Sequence, residues 1–174
     1  IISKKDLIII ISQSGETADT LAALRLAKNQ GVHTLAIVNV VGSSISREAD
    51  SVIYTWAGPE ISVASTKAYT VQMSVMYLFA IRLAYANGKL SEQKAKELTE
   101  QLAGMDCVIE QTLALADDCK QLAEDYCGCS NLFFIGRGLD YALSLEGSLK
   151  LKEISYIHSE AYAAGELKHG TISL

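Results

Sequence analysis

The run Leu7-Ile8-Ile9-Ile10-Ile11 constrains the fold of this chain more than any other feature. β-Branched residues favour extended backbone, and an apolar run without alternation is the pattern of a strand covered on both faces in a parallel sheet. Parallel strands must be joined by a crossover, usually a helix. The next residues supply one: Thr17 to Asn29 places Leu21, Leu24 and Ala27 at helical spacing and stops before Gly31. Val32 to Val40 then reads as a second strand, Gly42-Ser43-Ser44 as a turn, and Ser51 to Trp56 as a third strand. Ala64 to Ala86 reads as a long buried helix entered through Ser65 or Thr66. This order favours an α/β, doubly wound parallel sheet.

Asn87-Gly88 ends that helix, and Ser91 to Ala103 and Asp106 to Tyr126 show helical patterning with charged outer faces. Asn131 to Ile135 is a second buried-strand signal, followed by Gly136-Arg137-Gly138 and a helix from Tyr141 to Ile154. The strand, loop and helix plan therefore recurs. The expected division is a first lobe at 1–90, bridging helices at 91–128 and the start of a second lobe at 129–174. The first copy begins at its loop-bearing strand, and the second ends after one strand and one helix. An excerpt of a longer protein is expected.

Composition narrows the function classes. The chain has 174 residues, 49% of them hydrophobic, with a single proline, which suits a globular chain with short connections. Its net charge of -5 is scattered along helical faces without a basic run, so no nucleic-acid footprint is expected. Cys107, Cys119, Cys127 and Cys129 lack metal-ligand spacing, so no metal and no cofactor is expected and the thiols are read as reduced and mostly buried. Val71 to Ala86 is interrupted by Gln72 and Arg82 and falls short of the roughly 20 residues of a membrane span. No leader opens the chain, and a cytoplasmic location is expected.

The sharpest local motif is Ser12-Gln13-Ser14-Gly15-Glu16-Thr17, between a buried strand and a helix. A helix start offers unpaired N–H donors and about half a positive charge, and small hydroxyl side chains add donors without crowding, so a phosphate dianion can be held there without lysine. The alternative is a plain capping box, in which Ser14 caps the helix and a nearby carboxylate returns a hydrogen bond. Position favours the anion site, because open α/β sheets bind ligands at the carboxyl ends of their strands. No Walker motif is present.

Gly136-Arg137-Gly138 fails as a dinucleotide fingerprint because Tyr141 stands where the third glycine belongs. A tight turn and a ligand contact both remain open for it. Lys150 and Glu153 share a helix face, either as an exposed ion pair or as a carboxylate beside a cation, which could serve as the base that moves a proton between adjacent carbons. His169, in Glu166-Leu167-Lys168-His169-Gly170, is free to approach a substrate and can exchange protons near neutral pH. His33 and His158 are read as structural.

Together with Ala57-Gly58-Pro59-Glu60-Ile61, Val63-Ala64-Ser65-Thr66-Lys67, Leu145-Glu146-Gly147 and Leu149-Lys150-Leu151-Lys152-Glu153, these motifs resemble the isomerase domain of the glutamine:fructose-6-phosphate aminotransferases, or glucosamine-6-phosphate synthases. That domain is built from flavodoxin-like sugar isomerase (SIS) lobes. The resemblance implies that Ser12, Gln13, Ser14 and Thr17 hold the phosphate of fructose 6-phosphate, with Val63 and Ser65 near the sugar. It makes Glu153 the proton-transfer base, Lys150 its helper at the open-chain oxygens, and His169 a ring-opening group reaching in from the neighbouring subunit of a homodimer. In the family, a separate glutaminase domain supplies the ammonia that converts fructose 6-phosphate to glucosamine 6-phosphate. Lacking that domain, this chain alone is not expected to carry out the synthesis.

One departure is Thr171, where the family commonly has proline, so the loop carrying His169 is expected to be looser. Two other readings stay open at this stage. One is a sugar-phosphate sensor, which has no need of Glu153 and His169. The other is a related phosphosugar isomerase or deglycase.

Overall fold

The computed structural model describes residues 2–170. In chain order the elements are β1 (Leu7–Ser12), α1 (Ala18–Asn29), β2 (His33–Val38), α2 (Ser44–Glu48), β3 (Ser51–Tyr54), α3 (Lys67–Ala86), α4 (Glu92–Ala103), α5 (Met105–Leu113), α6 (Ala116–Tyr126), β4 (Asn131–Gly136), α7 (Leu139–Ser155) and β5 (His158–Ala163). They form two compact units, one up to Met105 and one from Asp106. Parallel strands alternating with helices bear out the α/β expectation.

In the first unit the strands lie in the order β1-β2-β3, all parallel, with Ile10 beside Ala36 and Val38 beside Tyr54. Parallel register puts Ile10, Ala36 and Val38 on one face, and these pack with Leu24 of α1 and Ile45 of α2 into the core. Leu24 and Ile45 are both fully buried, each contributing about 1.5–3 kcal/mol by leaving water. On the opposite face, Ile11 and the α3 side chains Tyr69, Met73, Met76 and Tyr77 line a cavity of about 460 Å³.

Several expectations are corrected. β1 is an edge strand whose second face is only partly covered, for Leu7 and Ile11 keep 42% and 43% of their surface exposed. The helix α3 is not buried, since only Ala68 lies in the interior while Tyr77, Leu78 and Leu83 are exposed. The stretch expected as one helix from Asp106 is two, α5 and α6, and neither buries a residue. All four cysteines are exposed free thiols, not the mostly buried ones expected.

Gly42-Ser43-Ser44 leads into the short helix α2, which the turn reading missed. Ser91 begins α4 as expected, its hydroxyl accepting the Lys94 N–H at 3.2 Å as an N-cap does.

In the second unit, β4 and β5 pair in parallel from Asn131 beside His158 to Gly136 beside Ala163. The strand β5 was not foreseen, because His158, Ser159 and Glu160 interrupt its apolar pattern. β4 was read as buried, yet Phe133 and Ile135 are exposed on the face of this small sheet that α7 leaves open. The crossover α7 presses on the end of β4: a β-carbon at Gly136 would fall 2.3 Å from the Asp140 backbone. Gly136 is thus required for close strand–helix approach.

Candidate functional site

In the first unit the candidate residues lie on the loops that follow the carboxyl ends of the parallel strands. β1 ends at Ser12, only 7% exposed, whose hydroxyl accepts the Gly15 N–H at 3.0 Å and lies 3.3 Å from Thr17 Oγ1. This folds the loop back on itself. Gly15 turns the chain at φ +69°, a left-handed conformation that glycine adopts without strain. The N-cap of α1 is Thr17 and its side chain makes no capping bond, so the capping-box reading of Ser14 fails. Ser14 Oγ instead accepts the Glu16 N–H at 3.2 Å, which leaves its own proton free to donate outward.

The first intrahelical bond of α1 is Leu21 N–H to Thr17 O at 2.9 Å. The amides of Ala18, Asp19 and Thr20 precede it and have no partner within the helix. The one charged residue inside the motif, Glu16, turns away: its carboxylate accepts the Ser44 N–H of α2 at 2.7 Å. Hydrogen bonding from Ser44, its side chain first and then its amide, holds the Glu16 carboxyl below its ordinary range. The loop therefore presents hydroxyl and amide donors at the start of a 12-residue helix while its carboxylate is engaged elsewhere.

A second loop, after β3, is tied to the first through Asn39 at the end of β2. The Asn39 N–H donates to Gln13 O at 3.1 Å. Its side-chain Oδ1 accepts Thr55 Oγ1 at 3.0 Å and the Ala57 N–H at 2.8 Å, and Nδ2 donates to Gly58 O at 2.7 Å. Between these anchors Trp56 is held at φ +54°, an uncommon backbone for a bulky residue. Further along, Val63 is 99% exposed and Ser65 Oγ donates to Glu60 Oε2 at 3.0 Å. Partial desolvation pushes the Glu60 carboxyl up, but the hydrogen bonds from Ser65 and the amides of Ser62 and Ala68 outweigh it, and the net shift is downward.

In the second unit, Lys150 sits on α7 between two carboxylates, 2.9 Å from Glu153 Oε2 and 3.4 Å from Glu146 Oε1. The hydrogen bond to Glu153 leads in raising the Lys150 pKa, so the ammonium stays charged. Lys150 is partly buried and Glu153 is exposed, so the contact is an ion pair open to solvent and not a sealed site. His169 is exposed in the turns after β5, its N–H donating to Glu166 O at 2.9 Å. Thr171 lies outside the described residues.

The structure thus brings Ser12, Gln13, Ser14 and Thr17 into one loop and Lys150 and Glu153 into contact, with Val63 and Ser65 on the connection that Asn39 anchors. Sequence reasoning missed Asn39 and Glu146 as partners in these networks. Glu146 stands four residues before Lys150, a spacing that was legible. Asn39 gave only the weak signal of a polar residue closing an apolar strand.

Comparison with known proteins places this geometry. The SIS domain family model matches residues 1–82 and 126–174. A Clostridium tetani protein named glutamine–fructose-6-phosphate aminotransferase (isomerizing) is 59% identical over all 174 residues, covering 100% of this chain and 29% of the relative. A protein of the same name from Caldanaerobacter subterraneus subsp. tengcongensis is 55% identical with the same coverage. The chain therefore spans less than a third of the length of these relatives. Among solved structures, the C-terminal domain of glucosamine-fructose-6-phosphate aminotransferase from Francisella tularensis superposes with a TM-score of 0.96 at 44% identity, over 99% of this chain and 49% of that one. The resemblance carried by the motifs is borne out along the whole chain, which belongs to the SIS domain family.

Proposed function

We propose that this chain is the sugar-phosphate-binding part of an isomerising glutamine:fructose-6-phosphate aminotransferase. The observation that carries the reading is the loop from Ser12 to Thr17, which offers hydroxyl and amide donors at the mouth of a parallel sheet with its own carboxylate turned away. Identity of 59% to a protein of that name supports the choice of substrate. In this reading Ser14, Thr17, Gln13 and the first amides of α1 grip the phosphate of fructose 6-phosphate, and Ser12 holds the loop in shape. Val63 and Ser65 flank the sugar.

Glu153 then moves the proton between the first two sugar carbons, with Lys150 stabilising negative charge on the open-chain oxygens. His169, contributed by a second copy of the chain in a homodimer, opens the ring. A glutaminase domain outside this chain supplies ammonia, and the protein works in the cytoplasm without nucleic acid or membrane. Among the described residues, no helix is long and apolar enough to cross a membrane.

Calorimetric titration of the intact protein with fructose 6-phosphate tests the reading. Ser14→Ala removes a hydrogen bond to a charged group, which is worth about 1.5–3 kcal/mol, or about 10- to 100-fold in affinity. Equal affinity in parent and variant sinks the assignment of the loop. Loss of proton exchange at the sugar's first carbon in Glu153→Gln, with binding retained, is the matching result for the base.

A further inference from the structure

We infer that Asn39 is a positioning residue that sets the sugar-facing connection, Thr55 to Ser65, against the phosphate-gripping loop. The inference rests on the reading of residues 12–17 given above and deepens it. One side chain satisfies three groups of the second loop: Oδ1 accepts Thr55 Oγ1 at 3.0 Å and Ala57 N–H at 2.8 Å, while Nδ2 donates to Gly58 O at 2.7 Å. A carboxamide is the one side-chain group of this size with both a double acceptor and an N–H donor, so aspartate or serine cannot replace it in full.

The same residue reaches the other loop by its backbone, Asn39 N–H to Gln13 O at 3.1 Å. Two loops that approach one ligand are thereby referenced to a single residue at the end of β2. The strain at Trp56, φ +54°, lies inside the clamped stretch. Backbone held in an uncommon conformation persists only where its surroundings over-determine it, and three side-chain hydrogen bonds around one residue do that. Loss of the clamp lets Trp56 relax and carries Val63 and Ser65 away from the sugar. The phosphate loop keeps its backbone bond to residue 39 whatever the side chain.

This asymmetry gives the test. In the intact protein, KM for fructose 6-phosphate and the inhibition constant of inorganic phosphate are measured for the parent, Asn39→Ala and Thr55→Val. Asn39→Ala is expected to raise KM about tenfold, and Thr55→Val, which loses one of the three bonds, by about threefold. The phosphate inhibition constant stays within about twofold of the parent in both. A parallel rise of both constants, or no change in KM, overturns the inference. Ser14→Ala is the reference: it raises both constants if the phosphate loop is read correctly, and if it moves neither, that reading fails on its own account. Thr55→Val keeps the shape of its site and preserves the test should Asn39→Ala fold poorly.

Discussion

Gly15 and Ser43 are in contact so close that a β-carbon at Gly15 would stand 2.1 Å from Ser43 Oγ and 2.6 Å from Ser43 Cβ. The loop after β1 is thus packed directly on the residue that precedes α2, and the Ile45 N–H closes the contact by donating to Gly15 O at 3.0 Å. Gly15 answers to two demands at once, a left-handed φ and the absence of a side chain.

Gly15→Ala is therefore expected to destabilise the protein by about 2–4 kcal/mol, the sum of a left-handed backbone penalty and overpacking. Adding Ser43→Gly relieves only the second part. Denaturant melts of the single and double variants check this, and full recovery in the double variant would show that φ carries no cost here. The Ser43 hydroxyl is buried without a hydrogen-bond partner among the described residues, so its removal takes away no hydrogen bond.

Leu24→Ala in α1 is expected to lower stability by about 3 kcal/mol, because Leu24 is fully buried between helix and sheet. Leu26→Ala, two residues on and 56% exposed, should change it by less than about 0.5 kcal/mol. Equal effects in chemical denaturation would contradict the face assigned to α1.

Acid stability follows from three carboxylates. The Asp50 carboxyl is held far below its ordinary value of 3.8 by hydrogen bonds from the Thr34 side chain and amide. Glu48 is lowered by Arg25, and Glu16 by Ser44. A depressed folded pKa gives stability that is present above the unfolded value and lost as pH falls through the folded one. The melting temperature should hold from neutral pH to about 5 and decline below about 4. Asp50→Asn should melt lower than the parent at pH 7, with the gap narrowing in strong acid; a constant gap across the series would refute the assignment.

The Lys150 cluster gives the opposite sign. A raised folded pKa contributes stability below the ordinary lysine value of 10.5, lost as pH climbs through the folded value. Glu146→Gln should lower the midpoint of the Lys150 ammonium, followed by heteronuclear NMR, and reduce stability at pH 7 by about 0.5 kcal/mol. An unmoved midpoint would show that Glu146 does not act on Lys150.

Local physics alone determined much of this molecule. The Leu7–Ile11 run, the helix spacing of Thr17 to Asn29 and the punctuating glycines were enough to give parallel strands, crossover helices and a donor-rich loop at a strand's end, because backbone preference and apolar period are written residue by residue. What covers those elements was not legible. The exposure of Ile11, of α3 and of all four cysteines depends on which neighbours lie across from them, and that is a property of packing rather than of period. Asn39 shows the limit most clearly: whether an amide at the end of an apolar strand is idle or clamps two loops depends on residues 16 to 26 positions away being brought within 3.1 Å, which only the folded chain accomplishes.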